Sequence, residues 1–142
     1  MIIIKSEQEI DIMRESGLVT GYILRELPNF IKAGMSTQDI DEFVEKIILS
    51  HKMIPSFKGY GGFPASTCVS INSEVVHGIP SKDRILKEGD IVSVDVGTTY
   101  KGYVSDAART YTVGAVSDEA KRLIKVTDRK STRLNSSHVA LS

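Results

Sequence analysis

Two aspartates set in strand-like runs are the residues best placed to do chemistry. Asp95 stands in Ile91-Val92-Ser93-Val94-Asp95-Val96-Gly97-Thr98-Thr99, and Asp106 in Tyr103-Val104-Ser105-Asp106-Ala107-Ala108-Arg109-Thr110. A carboxylate inside a valine-rich strand is costly to desolvate unless something pairs with it. Tyr100-Lys101-Gly102 reads as the turn between the runs. If the loop proper within that turn is even-numbered, opposed residues have position numbers with an odd sum. Asp95 and Asp106 therefore project from one face, opposite each other or nearly so. Like charges placed in that way repel unless a cation or a shared proton lies between them. Ser93 and Gly97, the same-face neighbours on the first strand, are small and uncharged, which leaves room for a ligand. A hard or borderline divalent ion suits carboxylate donors. On spacing alone, two carboxylates turned to water on a wet sheet face remain the plainer alternative.

Other candidates are weaker by residue type and setting. His77 follows Val75-Val76 and precedes the Gly78-Ile79-Pro80 turn, so it reads as standing at a strand end, where catalytic groups often sit; a hydrogen-bonded core histidine is the ordinary alternative. His51 lies near a helix C-terminus, where a partly charged imidazole is favourable by itself. His138 has no role on this reading. Cys68, in a β-prone run, reads as a small buried hydrophobe rather than a nucleophile. Phe57-Lys58-Gly59-Tyr60-Gly61-Gly62-Phe63-Pro64 is a glycine-aromatic loop. No helical pattern follows it, so a phosphate cradle is a poor reading and a plain connection is the alternative.

The elements that must position these groups are legible. Ser6-Glu7-Gln8-Glu9 is a capping box opening a helix that carries Ile10, Met13, Leu24 and Leu27 near one face, with Pro28 closing it. Ser36 caps a second helix whose Ile40, Phe43, Val44, Ile47 and Ile48 form a core-facing stripe, ending near His51. Strands follow at residues 67–72 and 91–99 and from Tyr103 to Val113, with Val92, Val94 and Val96 on the face opposite Asp95. Ser117 caps a last helix bearing Leu123, Ile124 and Val126. Residues 129–142 are Ser/Thr/Arg-rich with no apolar stripe, and nothing there is expected to continue that helix.

Bulk composition excludes several classes. Of 142 residues, Lys+Arg and Asp+Glu each number 18, so the net charge is zero and there is no bulk basic charge to drive nucleic-acid or membrane binding. A single cysteine cannot form an intramolecular disulfide, which suits a reducing compartment. The Ile2-Ile3-Ile4 run is too short for a signal-peptide core or a membrane span, so a cytoplasmic protein is expected.

Taken together and in order, four stretches resemble a type I methionine aminopeptidase: Cys68-Val69-Ser70-Ile71-Asn72, Val75-Val76-His77-Gly78-Ile79-Pro80, Gly89-Asp90-Ile91-Val92-Ser93-Val94-Asp95-Val96, and Gly102 through Thr110. The resemblance runs from about Ile3 to Asp128 and covers the N-terminal half of such an enzyme. It implies an α/β (α+β) pita-bread fold of the creatinase/aminopeptidase kind, here the N-terminal half with a curved antiparallel sheet and flanking helices. It implies two divalent metal ions (Co, Mn, Fe, Zn or Ni), with Asp95 chelating one, Asp106 bridging both, and the remaining histidine and two glutamates in a second half. Glu119 and His138 do not stand in matching motifs. By the same resemblance His77 contacts substrate at the scissile bond, and Tyr60, Phe63 and Cys68 line the methionine pocket. Phe63 stands where a tyrosine is often found. The implied activity is metal-dependent removal of the N-terminal methionine of nascent proteins, with transient proximity to the ribosome and a monomeric full-length state. Residues 1–128 are then half of a catalytic domain, expected to be inactive alone, and 129–142 an anomalous, non-native tail. A proline-directed relative and a non-catalytic peptide-binding module of the same fold are the alternatives.

Overall fold

A computed structural model describes the backbone of residues 2–139 and the side chains as far as Arg129. The helices α1 (Glu7–Phe30) and α2 (Thr37–Ser50) both open at capping boxes. Ser6 Oγ accepts from the Glu9 N–H at 3.3 Å while Glu9 Oε2 accepts from the Ser6 N–H at 2.7 Å, and Ser36 and Asp39 repeat the exchange. Each such cap is worth about 1 kcal/mol. The buried stripe of α1 is Ser16, Val19, Thr20, Ile23, Leu24 and Leu27; Ile10, expected on it, is exposed.

Pro28 does not close α1, which continues for two more residues. A proline there leaves the carbonyl one turn back without its N–H. That carbonyl belongs to Leu24, and the buried Tyr111 hydroxyl donates to it at 2.7 Å. A strand side chain thus replaces the bond that proline removes, and the helix persists.

The sheet has four antiparallel strands: β1 (Ile54–Pro55), β2 (Thr67–Ile71), β3 (Ile91–Tyr100) and β4 (Tyr103–Thr112). β3 is central, with β4 along one edge and β1 and β2 following one another along the other. Lys101 and Gly102 at the β3–β4 turn both have positive φ, 47° and 84°, as a two-residue hairpin matching strand twist requires. The short β1 has no counterpart among the sequence expectations, since two residues carry no readable alternation.

The two faces of the sheet differ. Val92, Val94, Val96 and Val69 pack against Ile23, Leu27, Ile40, Val44 and Ile48 of the helices. Thr20 on α1 donates to Thr98 on this face at 3.0 Å. The opposite face carries Ser93, Asp95 and Gly97 from β3, with Thr110, Ala108 and Asp106 opposite them on β4.

The last helix, α3 (Asp118–Val139), starts at Ser117, whose Oγ accepts from the Ala120 N–H at 3.1 Å. It runs through the stretch expected to break it. Residues 118–139 hold no glycine or proline, and backbone helicity does not need an apolar stripe. The side chain of His138, and residues 140–142 of the anomalous tail, lie outside the described residues.

Candidate metal centre and substrate cleft

Asp95 and Asp106 share the open face of the hairpin. Gly97 pairs with Asp106 and Asp95 with Ala108, so the two aspartates are diagonal neighbours, one pair apart, rather than directly opposed. Asp95 is partly buried and Asp106 exposed. Burial, and then the Asp106 carboxyl beside it, raise the Asp95 carboxyl well above the usual carboxylate range, while His77 acts in the opposite direction. One Asp95 oxygen, Oδ1, is buried and has no hydrogen-bond partner. A buried acceptor in that state costs about 1–3 kcal/mol, more if charged. An orphaned carboxylate oxygen beside a second carboxylate is a donor set suited to a divalent cation. Among the described residues, no three His, Cys, Asp or Glu side chains come together in a group that could hold an ion.

Cys68 faces Asp95 directly across the β2–β3 ladder and is buried. Burial, followed by the charges of Asp95 and Asp106, pushes its thiol up to about 11. A thiol held protonated at neutral pH serves as apolar lining and not as a nucleophile.

His77 is not at a strand end. Val75 to His77 form an exposed loop, with Val75 87% and Val76 63% exposed and His77 at φ 59°. The β-branched pair Val75-Val76 suggests a strand, but the segment pairs with β2 through Gly78 rather than along its length. Gly78 O accepts from the Val69 N–H at 2.9 Å, and the Gly78 N–H donates to Ser70 Oγ at 3.1 Å. A Cβ on Gly78 would lie 2.1 Å from Val69 O, so only glycine lets the loop lie this close to β2. That contact seats His77 over the sheet.

One cleft is lined by Phe57, Tyr60, Phe63, Pro64, Cys68, His77, Ile79, Asp95 and Asp106. Every candidate site residue expected from the sequence therefore lines the same cleft. The glycine-aromatic loop is one of its walls and more than a plain connection. Phe57, Pro64 and Ile79 complete the lining, and in the sequence only their apolar character beside the expected site residues marks them. His51 caps α2 instead, with Nδ1 2.9 Å from Ile47 O, and neither it nor Glu119 lines the cleft.

The model of metallopeptidase family M24 matches residues 11–134, and the chain belongs to that family. It is 56% identical over 127 residues to the methionine aminopeptidase of Clostridium acetobutylicum, covering 89% of this chain and 51% of that protein. Its structure resembles the methionine aminopeptidase of Thermotoga maritima with a TM-score of 0.88 and 46% identity, over 91% of this chain and 52% of that one. The X-Pro aminopeptidase of the same organism is more distant, with a TM-score of 0.67 and 25% identity over 84% of this chain and 32% of that one. The chain spans about half the length of the curated relatives it matches. The fold is that of the pita-bread hydrolases, with mixed α/β structure, an antiparallel sheet and flanking helices. No helix among the described residues is long and apolar enough to cross a membrane.

Proposed function

We propose that this chain is the N-terminal half, residues 1–128, of the catalytic domain of a cytoplasmic, metal-dependent methionyl aminopeptidase that removes the first methionine of nascent peptides. The single observation behind this reading is that the Asp95–Asp106 pair opens into the same cleft as the apolar wall of Tyr60, Phe63 and Cys68. A substrate side chain in that pocket places its own backbone toward the two carboxylates.

Asp95 and Asp106 would hold two divalent ions jointly with ligands from outside this chain, Asp95 on one and Asp106 shared. Such ions would supply Lewis acidity and bring the pKa of the water they bind down toward neutrality. Tyr60, Phe63 and Cys68 bind the thioether, where sulfur–aromatic contact contributes about 0.3–1.5 kcal/mol. His77, held by Gly78 against β2, donates to the substrate carbonyl region and stabilises negative charge that develops there. The reading includes a monomeric full-length enzyme working close to the ribosome. Residues 129–142 are read as foreign to the parent sequence, and resequencing of the gene from an independent clone tests that.

A chimera tests the function. Residues 1–128 would replace the matching segment of the Clostridium acetobutylicum enzyme, with methionine release from a Met-Ala-Ser peptide measured in Co²⁺ or Mn²⁺. The expected result is release by the chimera, loss of at least about 100-fold on Asp106→Asn or His77→Ala, and none from the 142-residue chain alone. A folded, metal-loaded chimera without activity would sink the proposal.

A further inference from the structure

We infer that Glu45 is a positioning residue for the cleft wall: from α2 it grips both ends of the loop at residues 57–66 and so sets the width of the pocket for an unbranched apolar side chain. The pocket part of this inference rests on the function proposed above; the grip itself does not.

The Glu45 carboxylate accepts twice from Lys58 Nζ, at 2.7 and 3.0 Å, and once from Ser66 Oγ, at 2.7 Å. Lys58 lies near the start of the loop and Ser66 at its end. One helical turn before Glu45, Asp41 Oδ1 accepts from the backbone N–H groups of Ser66 and Thr67 and from Thr67 Oγ1, at 3.0, 2.8 and 2.6 Å. Asp41 therefore secures the entry to β2, and Glu45 adds the link across to Lys58.

Between these anchors the loop is closed on itself. Gly59 N–H donates to Phe63 O at 2.8 Å, and Tyr60 N–H and Phe63 N–H donate to Phe57 O and Tyr60 O, each at 3.0 Å. A loop bonded internally in this way moves as a body when an anchor is released. Neither α2 nor β2 needs Glu45 for its own placement. Ile40, Val44 and Ile48 fix the helix in the core, and Asp41 together with the β3 ladder fixes the strand. Lys58 is the only charged residue from Phe57 to Pro64, and its ion pair with Glu45 ties the near end of the loop to the helix. Moving the loop changes the gap between Tyr60 and Phe63 on one side and Cys68 on the other.

Amide hydrogen exchange and NMR titration of the 142-residue chain with L-methioninamide and L-alaninamide test this. Glu45→Ala and Lys58→Met are expected to speed exchange at Gly59 and Phe63 by about tenfold, leaving β3 and β4 unchanged. Both should lower the preference for methioninamide over alaninamide by about 3–10-fold, and Lys58→Arg should retain it. A purely structural role would lower the melting temperature without altering that preference. Should Glu45→Ala fail to fold, the surface change Lys58→Met carries the same test. Unchanged loop exchange, or a parent preference for methioninamide that persists in full in the variants, overturns the inference. A parent chain with no preference for methioninamide, but with loop amides loosened in the variants, refutes the pocket reading and supports the grip.

Discussion

Gly97 faces Asp106 across the β3–β4 ladder, and the Phe57 ring occupies the space that a side chain at Gly97 would need. A Cβ there would lie 2.6 Å from Phe57 Cε1 and 2.9 Å from Ser56 Cβ. The small residue beside the aspartates thus makes room for an aromatic wall, and the space that the sequence left for a ligand at Gly97 is filled by Phe57. Gly97→Ala should cost about 1–3 kcal/mol through this overpacking. It should also shift the Phe57 ring resonances. An unchanged urea midpoint together with unmoved Phe57 signals would show that the wall does not depend on Gly97.

The carboxylate pair should trade stability for metal binding. Asp95 has an orphaned buried oxygen and a carboxylate neighbour, so Asp95→Asn removes a charge and adds a donor toward Asp106. Without metal, the variant is expected to melt about 2–4 °C higher for each kcal/mol regained. Millimolar Mn²⁺ should raise the melting temperature of the parent chain slightly and leave that of the variant unmoved. Thermal melts with and without Mn²⁺, after chelator treatment, decide this; a metal-free Asp95→Asn chain less stable than its parent contradicts it.

Tyr111 and Pro28 should be coupled although they are distant in sequence. Tyr111→Phe strips the Leu24 carbonyl of its donor and should destabilise by about 1–3 kcal/mol. Pro28→Ala restores a backbone N–H for the same carbonyl, so the double variant should lose less than the sum of the two single changes. A double-mutant cycle by urea denaturation checks the sign. Strict additivity would mean that the hydroxyl does not replace the missing helix bond.

The N-terminal cap should impose a pH dependence. Glu9 accepts from the Tyr103 hydroxyl at 2.6 Å, and that bond, followed by those from Ser6, holds its carboxyl down from 4.5 to about 2. Because the folded value is depressed, the stabilisation is present above pH 4.5 and is lost as pH falls through about 2. Tyr103→Phe removes the largest cause, so its stability should fall less steeply over that window than the parent's. Equal acid slopes in parallel denaturation series at pH 5, 4, 3 and 2.5 would contradict the assignment.

Much of this arrangement is legible in one dimension. The capping boxes at Ser6 and Ser36 and the stripe on α2 are local patterns, and local patterns survive folding because their partners are within a turn. The same-face relation of Asp95 and Asp106 follows from strand parity alone, once a two-residue turn joins the strands. Failures occurred where the deciding contact is remote. Pro28 reads as a stop until Tyr111 reaches back to Leu24. Val75-Val76-His77 reads as a strand, but the bonds to β2 come from Glu74 and Gly78 on either side of it. The last helix is a different case: residues 129–139 carry no apolar stripe, yet backbone helicity does not require one.

The two long helices, the β3–β4 hairpin and the two carboxylates on one sheet face are readable from the chain, because each depends on local periodicity or on chemical type. Only the tertiary structure decided that the aspartates are diagonal neighbours with one buried oxygen left without a partner. It alone brought the 57–64 loop, Cys68 and His77 around them, and showed Glu45 holding that loop from another helix. These are relations between residues tens of positions apart, set by how layers pack, and no local period encodes packing across layers.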